Sequence, residues 1–154
     1  MKTFRVGIIG CGTIFPMHAQ SIKNIKGAKI VAVCDIKADR AEEKAKKYRA
    51  RPYTDYKKML DKERLDSVHI CTPHYLHMPM VIEAAKRKIN VLTEKPMGLN
   101  PEEAKKEIDT AKKNKITFSV IFQNRFNPGS RLLKERISDG SLGKLKAAKL
   151  ILTY

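Results

Sequence analysis

The chain has 154 residues, 42% hydrophobic and 31% charged, a balance that suits one globular domain with a proper core and leaves no room for a second complete one. Its 32 Lys and Arg against 16 Asp and Glu give a net charge of +16, which by itself would invite a polyanionic partner. The lysines are mixed with acids along helical stretches such as 42–47 and 102–107, and aromatics are only 6% without arginine interleaving, so nucleic acid is set aside as a partner.

Short β-branched runs alternate with segments of helical period. Phe4–Ile9 reads as a strand, and residues 14–25 as a helix whose shared face would carry Ile14, Met17 or His18, Ile22 and Ile25. A strand over 29–34 follows, then a helix Ala38–Tyr48 with Ala41, Ala45 and Tyr48 inward, a brief strand Arg51–Tyr53 and a short helix over 55–60. Residues 67–71 form the fourth strand, and the helix over 76–87 carries an apolar stripe of Met78, Val81, Ile82 and Ala85. After strand Asn90–Thr93, Asn100-Pro101-Glu102-Glu103 opens a helix with a capping side chain, a first-turn proline and acids matched to the helix dipole. Residues 118–122 give the sixth strand.

Nearly continuous apolar strands, each separated from the next by a helix, require a parallel sheet covered on both faces. The fold expected over 1–123 is therefore a doubly wound, Rossmann-type α/β domain. Asn127-Pro128 then starts one more helix, residues 139–143 turn, and 145–154 reads as an extended strand. Residues 124–154 are expected to begin a second, α+β domain. A terminal strand of Leu150, Ile151, Leu152 and Tyr154 with no partner would be an exposed edge, which suggests a truncated or proteolysed larger protein.

Cys11, Cys34 and Cys71 are odd in number, and each lies in or just after a short apolar run, as buried thiols in a reducing compartment do. Lys2 and Arg5 lead straight into the apolar run 6–9, too short for a signal-peptide core, and no later run approaches membrane-spanning length. A soluble cytoplasmic protein with no membrane partner is expected.

Gly10-Cys11-Gly12 stands where the first strand meets the first helix, the place where a dinucleotide-binding turn needs glycines so that backbone can approach a pyrophosphate facing helix amides. Phe15 replaces the third glycine of that pattern. Asp35 ends the second strand 23 positions beyond Gly12, where a carboxylate can accept the ribose hydroxyls and repel a 2′-phosphate. That favours NAD, while Lys37 and Arg40 leave NADP open; the plainer role for Asp35 is a cap for the following helix. Glu94-Lys95-Pro96 follows the fifth strand and puts a lysine at the carboxyl edge of the sheet, where it could bond a substrate hydroxyl and assist proton transfer. Cys71, His74 and His77 have metal-ligand spacing but lack a fourth ligand, and no metal is expected.

The turn Gly10-Cys11-Gly12, the strand end Cys34-Asp35, the run Cys71-Thr72-Pro73-His74-Tyr75-Leu76-His77, Glu94-Lys95-Pro96, residues 123–128 (Gln-Asn-Arg-Phe-Asn-Pro) and residues 140–144 (Gly-Ser-Leu-Gly-Lys) occur together and in order. In this the chain resembles the Gfo/Idh/MocA oxidoreductases over essentially its whole length. The resemblance implies that Gly10, Cys11, Gly12, Thr13 and Ile14 hold the pyrophosphate, Asp35 and Ile36 the ribose, and Thr72, Pro73 and His77 the nicotinamide side. It also implies that Glu94 and Lys95 complete the site, with Lys95 catalytic and near the substrate hydroxyl, and that Gln123 and Arg125 line the cleft on the cofactor and substrate sides. Phe15 departs from the family's small residue. The second domain, which supplies the substrate pocket, the open sheet that often joins subunits, and an Asp and His partnering the lysine, is not in the chain. The expected activity of the parent is hydride transfer between NAD, or NADP, and a sugar, polyol or related hydroxyl compound, in a homo-oligomer. Alternatives are a dinucleotide-binding module without turnover, NAD-dependent glycoside cleavage, or imine and enone reduction on the same fold.

Overall fold

The structure, a computed structural model, describes residues 3–149 and 151. It divides into a compact unit running to Ile121 and a smaller one from Phe122 onward. In the first unit the elements are β1 (Phe4–Ile9), α1 (Phe15–Lys23), β2 (Ala28–Cys34), α2 (Ala38–Tyr48), β3 (Arg51–Tyr53), α3 (Tyr56–Lys62), β4 (Ser67–Ile70), α4 (His77–Lys86), β5 (Asn90–Thr93), α5 (Pro101–Asn114) and β6 (Phe118–Val120).

All strand pairs are parallel, and the sheet order is β3-β2-β1-β4-β5-β6. The chain therefore starts in the middle, winds to one edge, crosses over and winds to the other. The reversal between β1 and β4 opens a crevice at their carboxyl ends, the usual ligand position in such sheets.

Alternation along the strands splits the core in two. Val6, Ile8, Ile30 and Val33 pack with Phe15, Ala19 and Ile22 of α1 and Ala45 of α2. Ile9, Ala32, Cys34, Val68, Ile70 and Val91 pack with Met59 and Leu60 of α3 and Met80, Val81 and Ala84 of α4. Ile30 and Val33 reach the same face because the β1–β2 register shifts between Val6 and Gly7, whose partners are Ile30 and Ala32, leaving Val31 as the extra residue.

Helix starts follow local chemistry. The Asp55 side chain accepts the amides of Lys57 and Lys58 at 2.8 and 3.3 Å to open α3, and Asn100 accepts the Glu103 amide at 2.8 Å to open α5.

Three sequence expectations need correction. The buried face of α1 is Phe15, His18, Ala19 and Ile22, whereas Ile14, Met17 and Ile25 are exposed. Apolar residues crowd this segment on more than one face, so periodicity alone does not single out one stripe, and the choice falls to the large ring of Phe15, which packs edge-on against Tyr48 at 5.6 Å. In α4 the inward residues are His77, Met80, Val81, Ala84 and Ala85, with Met78 and Ile82 only half-buried. The expected strand over 145–154 is not formed at 145–149 or at Ile151, which carry no strand pairing; the rest of that segment lies outside the described residues.

In the second unit a 3-10 turn, Gln123–Phe126, precedes α6 (Pro128–Ser138), and the Asp139 carboxylate accepts the Ser141 amide at 2.8 Å in the turn that follows.

Candidate active site

At the end of β1 the backbone enters a turn that only glycine permits. Gly10 has φ +97, and a Cβ there would stand 2.4 Å from the carbonyl oxygen of Cys71 on the neighbouring strand end. Gly12 is bare for the opposite reason, since a Cβ there would meet nothing within 4 Å. It borders a cavity of about 300 Å³ lined by Gly10, Gly12, Asp35, Ile36, Thr72 and Pro73, among others. An unshielded backbone at the rim of a cleft beside a helix start is what a pyrophosphate requires, so these residues fit a dinucleotide.

Asp35 braces the turn. Its Oδ2 accepts the Cys11 amide at 2.8 Å and its Oδ1 the Lys37 amide at 2.9 Å, tying the glycine turn to the start of α2. It is not the N-cap of α2, which is Lys37. Lys37 and Arg40 line the same cavity. Phe15 leaves the turn intact: it is wholly buried, and its amide donates to the Gly12 carbonyl at 3.2 Å. A larger concavity, about 370 Å³, opens at the other end of α1 between Lys23, Lys29, Lys47 and Arg49. No glycine turn or carboxylate converges there, so the carboxyl-edge cavity is the candidate site.

Cys11, Cys34 and Cys71 are all buried free thiols beneath the turn. Burial pushes Cys11 and Cys34 up to about 12, helped by Asp35, and raises Cys71 further with a smaller contribution from Glu94. They act as small apolar side chains rather than nucleophiles.

Glu94, Lys95 and Pro96 follow β5 directly, with the Glu94 amide bonded to the Ile70 carbonyl at 3.0 Å. The Lys95–Pro96 peptide is cis. Lys95 is exposed, while the Glu94 carboxylate meets His18 Nε2 at 2.9 Å. Nδ1 of His18 lies 3.0 Å from Nδ1 of His69 on β4. Burial, and secondarily His18, hold His69 down to about 4. His77, expected on the nicotinamide side, is fully buried, with Nδ1 at 2.8 Å from the Pro96 carbonyl and Nε2 at 2.9 Å from the Thr72 carbonyl. Its ring therefore supports the cavity wall from behind.

Thr13 and Ile14 lie exposed between the turn and α1. Gln123 and Arg125 belong to the second unit, where the Arg125 guanidinium sits 5.5 Å from the Phe122 ring. Sequence reasoning missed His18 and His69. The available signal was a histidine in register with Ala19 and Ile22 on a helix face, a polar group that burial obliges to find a partner. Among the described residues, no helix is long and apolar enough to cross a membrane.

The model of the Gfo/Idh/MocA oxidoreductase family, NAD-binding Rossmann fold, matches residues 4–122. The chain is similar to the myo-inositol 2-dehydrogenase of Thermotoga maritima, 33% identical over 141 residues, 91% of this chain and 42% of that protein. It is also similar to the D-glucoside 3-dehydrogenase of Escherichia coli, 34% identical over 146 residues, 92% of this chain and 41% of that protein. A crystal structure of the WlbA dehydrogenase from Bordetella pertussis, in complex with NADH and UDP-GlcNAcA, superposes with a TM-score of 0.89 at 29% identity, over 92% of this chain and 44% of that one. The chain thus spans about two-fifths of the length of these relatives.

Proposed function

This chain belongs to the Gfo/Idh/MocA oxidoreductases and carries their NAD-binding Rossmann fold, and from that premise we propose that its protein transfers a hydride between NAD and a hydroxyl compound of the sugar or polyol class. The observation that carries the reading is the cavity at the β1–β4 reversal, where the Gly10–Gly12 turn is braced by Asp35. Bound NAD supplies the hydride chemistry; the residues of this chain hold and orient it.

In this reading the backbone from Gly10 to Ile14 takes the pyrophosphate, and Asp35 and Ile36 take the adenosine ribose. Thr72 and Pro73 border the nicotinamide. Lys95 bonds the reacting hydroxyl of the substrate and accepts or returns its proton as the hydride moves. Glu94 stands beside it. The small molecules named with the relatives, inositol, a glucoside and a UDP-sugar acid, support a polyhydroxylated substrate. Burial of all three thiols without a disulfide supports a cytoplasmic protein, and we expect the full-length enzyme to be a homo-oligomer that does not bind nucleic acid.

Calorimetric titration with NADH and NADPH at low and moderate salt tests the cofactor half. Micromolar NADH binding with a mild salt dependence is expected; steeply salt-dependent DNA binding without NADH affinity would overturn the reading. Asp35→Ala removes the brace for both cofactors alike, so the difference between them reports the ribose contact: NADH should weaken more than NADPH, by about tenfold or more, and equal losses would remove that role. In the full-length enzyme, Lys95→Ala should lower turnover by about 100-fold or more with NADH binding retained, and unchanged turnover would take Lys95 out of the chemistry. NADP is the second cofactor to weigh, because Lys37 and Arg40 share the cavity with Asp35.

A further inference from the structure

We propose that His18 and His77 are positioning residues that hold Lys95 between two pinned neighbours, His18 gripping the Glu94 carboxylate from α1 and His77 gripping the Pro96 carbonyl from α4. The inference rests on the reading of Lys95 as the residue that meets the substrate hydroxyl.

The two rings lie on different helices, and both are buried, His18 at 6% exposure and His77 at 0%. A buried imidazole needs hydrogen-bond partners, but nothing requires two such rings to choose the residues immediately before and after the same lysine. They do so here. His18 Nε2 is 2.9 Å from Glu94 Oε1, and since a carboxylate accepts, the ring donates. On the other side of His18, Nδ1 faces His69 Nδ1 at 3.0 Å, where one ring donates and the other accepts. The low value of His69, about 4, keeps that ring neutral and the pair matched. The His18 orientation is thereby locked from β4.

His77 grips the other flank. Its Nδ1 is 2.8 Å from the Pro96 carbonyl and its Nε2 2.9 Å from the Thr72 carbonyl; carbonyls only accept, so the two bonds stand together only when each ring nitrogen carries a proton. One side chain thus couples the Thr72 wall of the cavity to the segment that carries Lys95. The Lys95 amide itself donates to Glu94 Oε2 at 3.3 Å, the carboxylate that His18 holds. The result is a lysine with a fixed backbone and a free side chain, the arrangement that keeps an acting group within the small tolerance proton transfer demands.

Nitrogen-15 relaxation on this chain without cofactor reads the backbone order of Lys95 directly. The wild type should give an order parameter near about 0.85, and His18→Leu and His77→Leu should each drop it below about 0.6. His18→Gln keeps a donor at the Nε2 position and should restore the order. For His77 the two conservative variants separate the roles: His77→Asn keeps a donor at the Nδ1 position facing Pro96 and should restore it, while His77→Gln keeps only the donor facing Thr72 and should not. A rigid Lys95 amide in both leucine variants would overturn the proposal. If those variants fail to fold, identical order in His77→Asn and His77→Gln would overturn it instead. The measurement needs neither NADH nor turnover, so failure of Lys95→Ala to affect the full-length enzyme would remove the chemical role while the order parameters decide the clamp separately.

Discussion

On the β1–β3 side of the sheet, the buried acid Glu63 receives Arg5 at 3.3 Å, Arg51 at 3.3 Å and the Tyr53 hydroxyl at 2.8 Å, and Asp35 receives two backbone amides. On the β4–β6 side, Thr93 Oγ1 and both carboxyl oxygens of the buried Glu107 find no partner among the described residues, and the polar contacts around Lys95 run through titratable rings. The cofactor turn is thus shaped by backbone approach and saturated acids. The lysine segment leans, through Glu94 and His18, on His69, a ring whose protonation is linked to folding. One half presents a fixed cradle, and the other carries the groups that pH can disturb.

The largest effect that would test this contrast is Gly10→Ala. A Cβ 2.4 Å from the Cys71 carbonyl, at φ +97, should cost about 4 kcal/mol or more in chemical denaturation and abolish NADH binding. A mild loss would mean that backbone approach does not set the turn.

Glu107 comes next. Burial, with a contribution from Glu103, raises its carboxyl to about 8 from 4.5. Because the folded value lies above the unfolded one, its favourable contribution is complete below about pH 4.5 and is lost as pH rises through about 8. Glu107→Leu should therefore stabilise the chain by about 4 kcal/mol at pH 8.5 relative to its effect at pH 4. A gain independent of pH would place the carboxyl's proton outside the folding equilibrium.

His69 runs the other way. Its folded value of about 4 lies below the ordinary 6.5, so its contribution is complete above about pH 6.5 and is lost as pH falls through about 4. Denaturation of His69→Gln should show a loss between pH 7 and 4 that is about 3 kcal/mol smaller than in the wild type. Identical slopes would detach the ring from the acid limb of stability.

The smallest stability effect belongs to Gly12→Ala. With nothing within 4 Å of the added Cβ, stability should stay within about 1 kcal/mol of the wild type. NADH affinity should fall about tenfold, because the methyl occupies the pyrophosphate's approach. Equal damage to folding and binding would erase the distinction between the two glycines.

Much of this was legible in the chain. Phe4–Ile9, Ala38–Tyr48, Arg51–Tyr53 and Asn90–Thr93 have the bounds expected from the residue pattern, and the glycine turn and Asp35 meet at the carboxyl edge of the sheet because both sit at strand ends. Each element and each strand end is encoded within a few residues of its own stretch of chain. The face of α1 was not legible, since Ile14, Met17 and Ile25 are as apolar as the residues that are buried, and packing against Tyr48 of α2 chose among them.

By itself, the order of apolar runs and glycines determined a doubly wound sheet, a dinucleotide-type turn and a lysine at the carboxyl edge, because these follow from local periodicity and the steric freedom of single residues. Only the tertiary structure decided that His18, held by His69, and His77 converge on the neighbours of Lys95 and that Glu107 is buried with no hydrogen-bond partner among the described residues. Those contacts join residues from different elements, and whether a buried polar group is satisfied depends on what the other elements bring within about 3 Å of it.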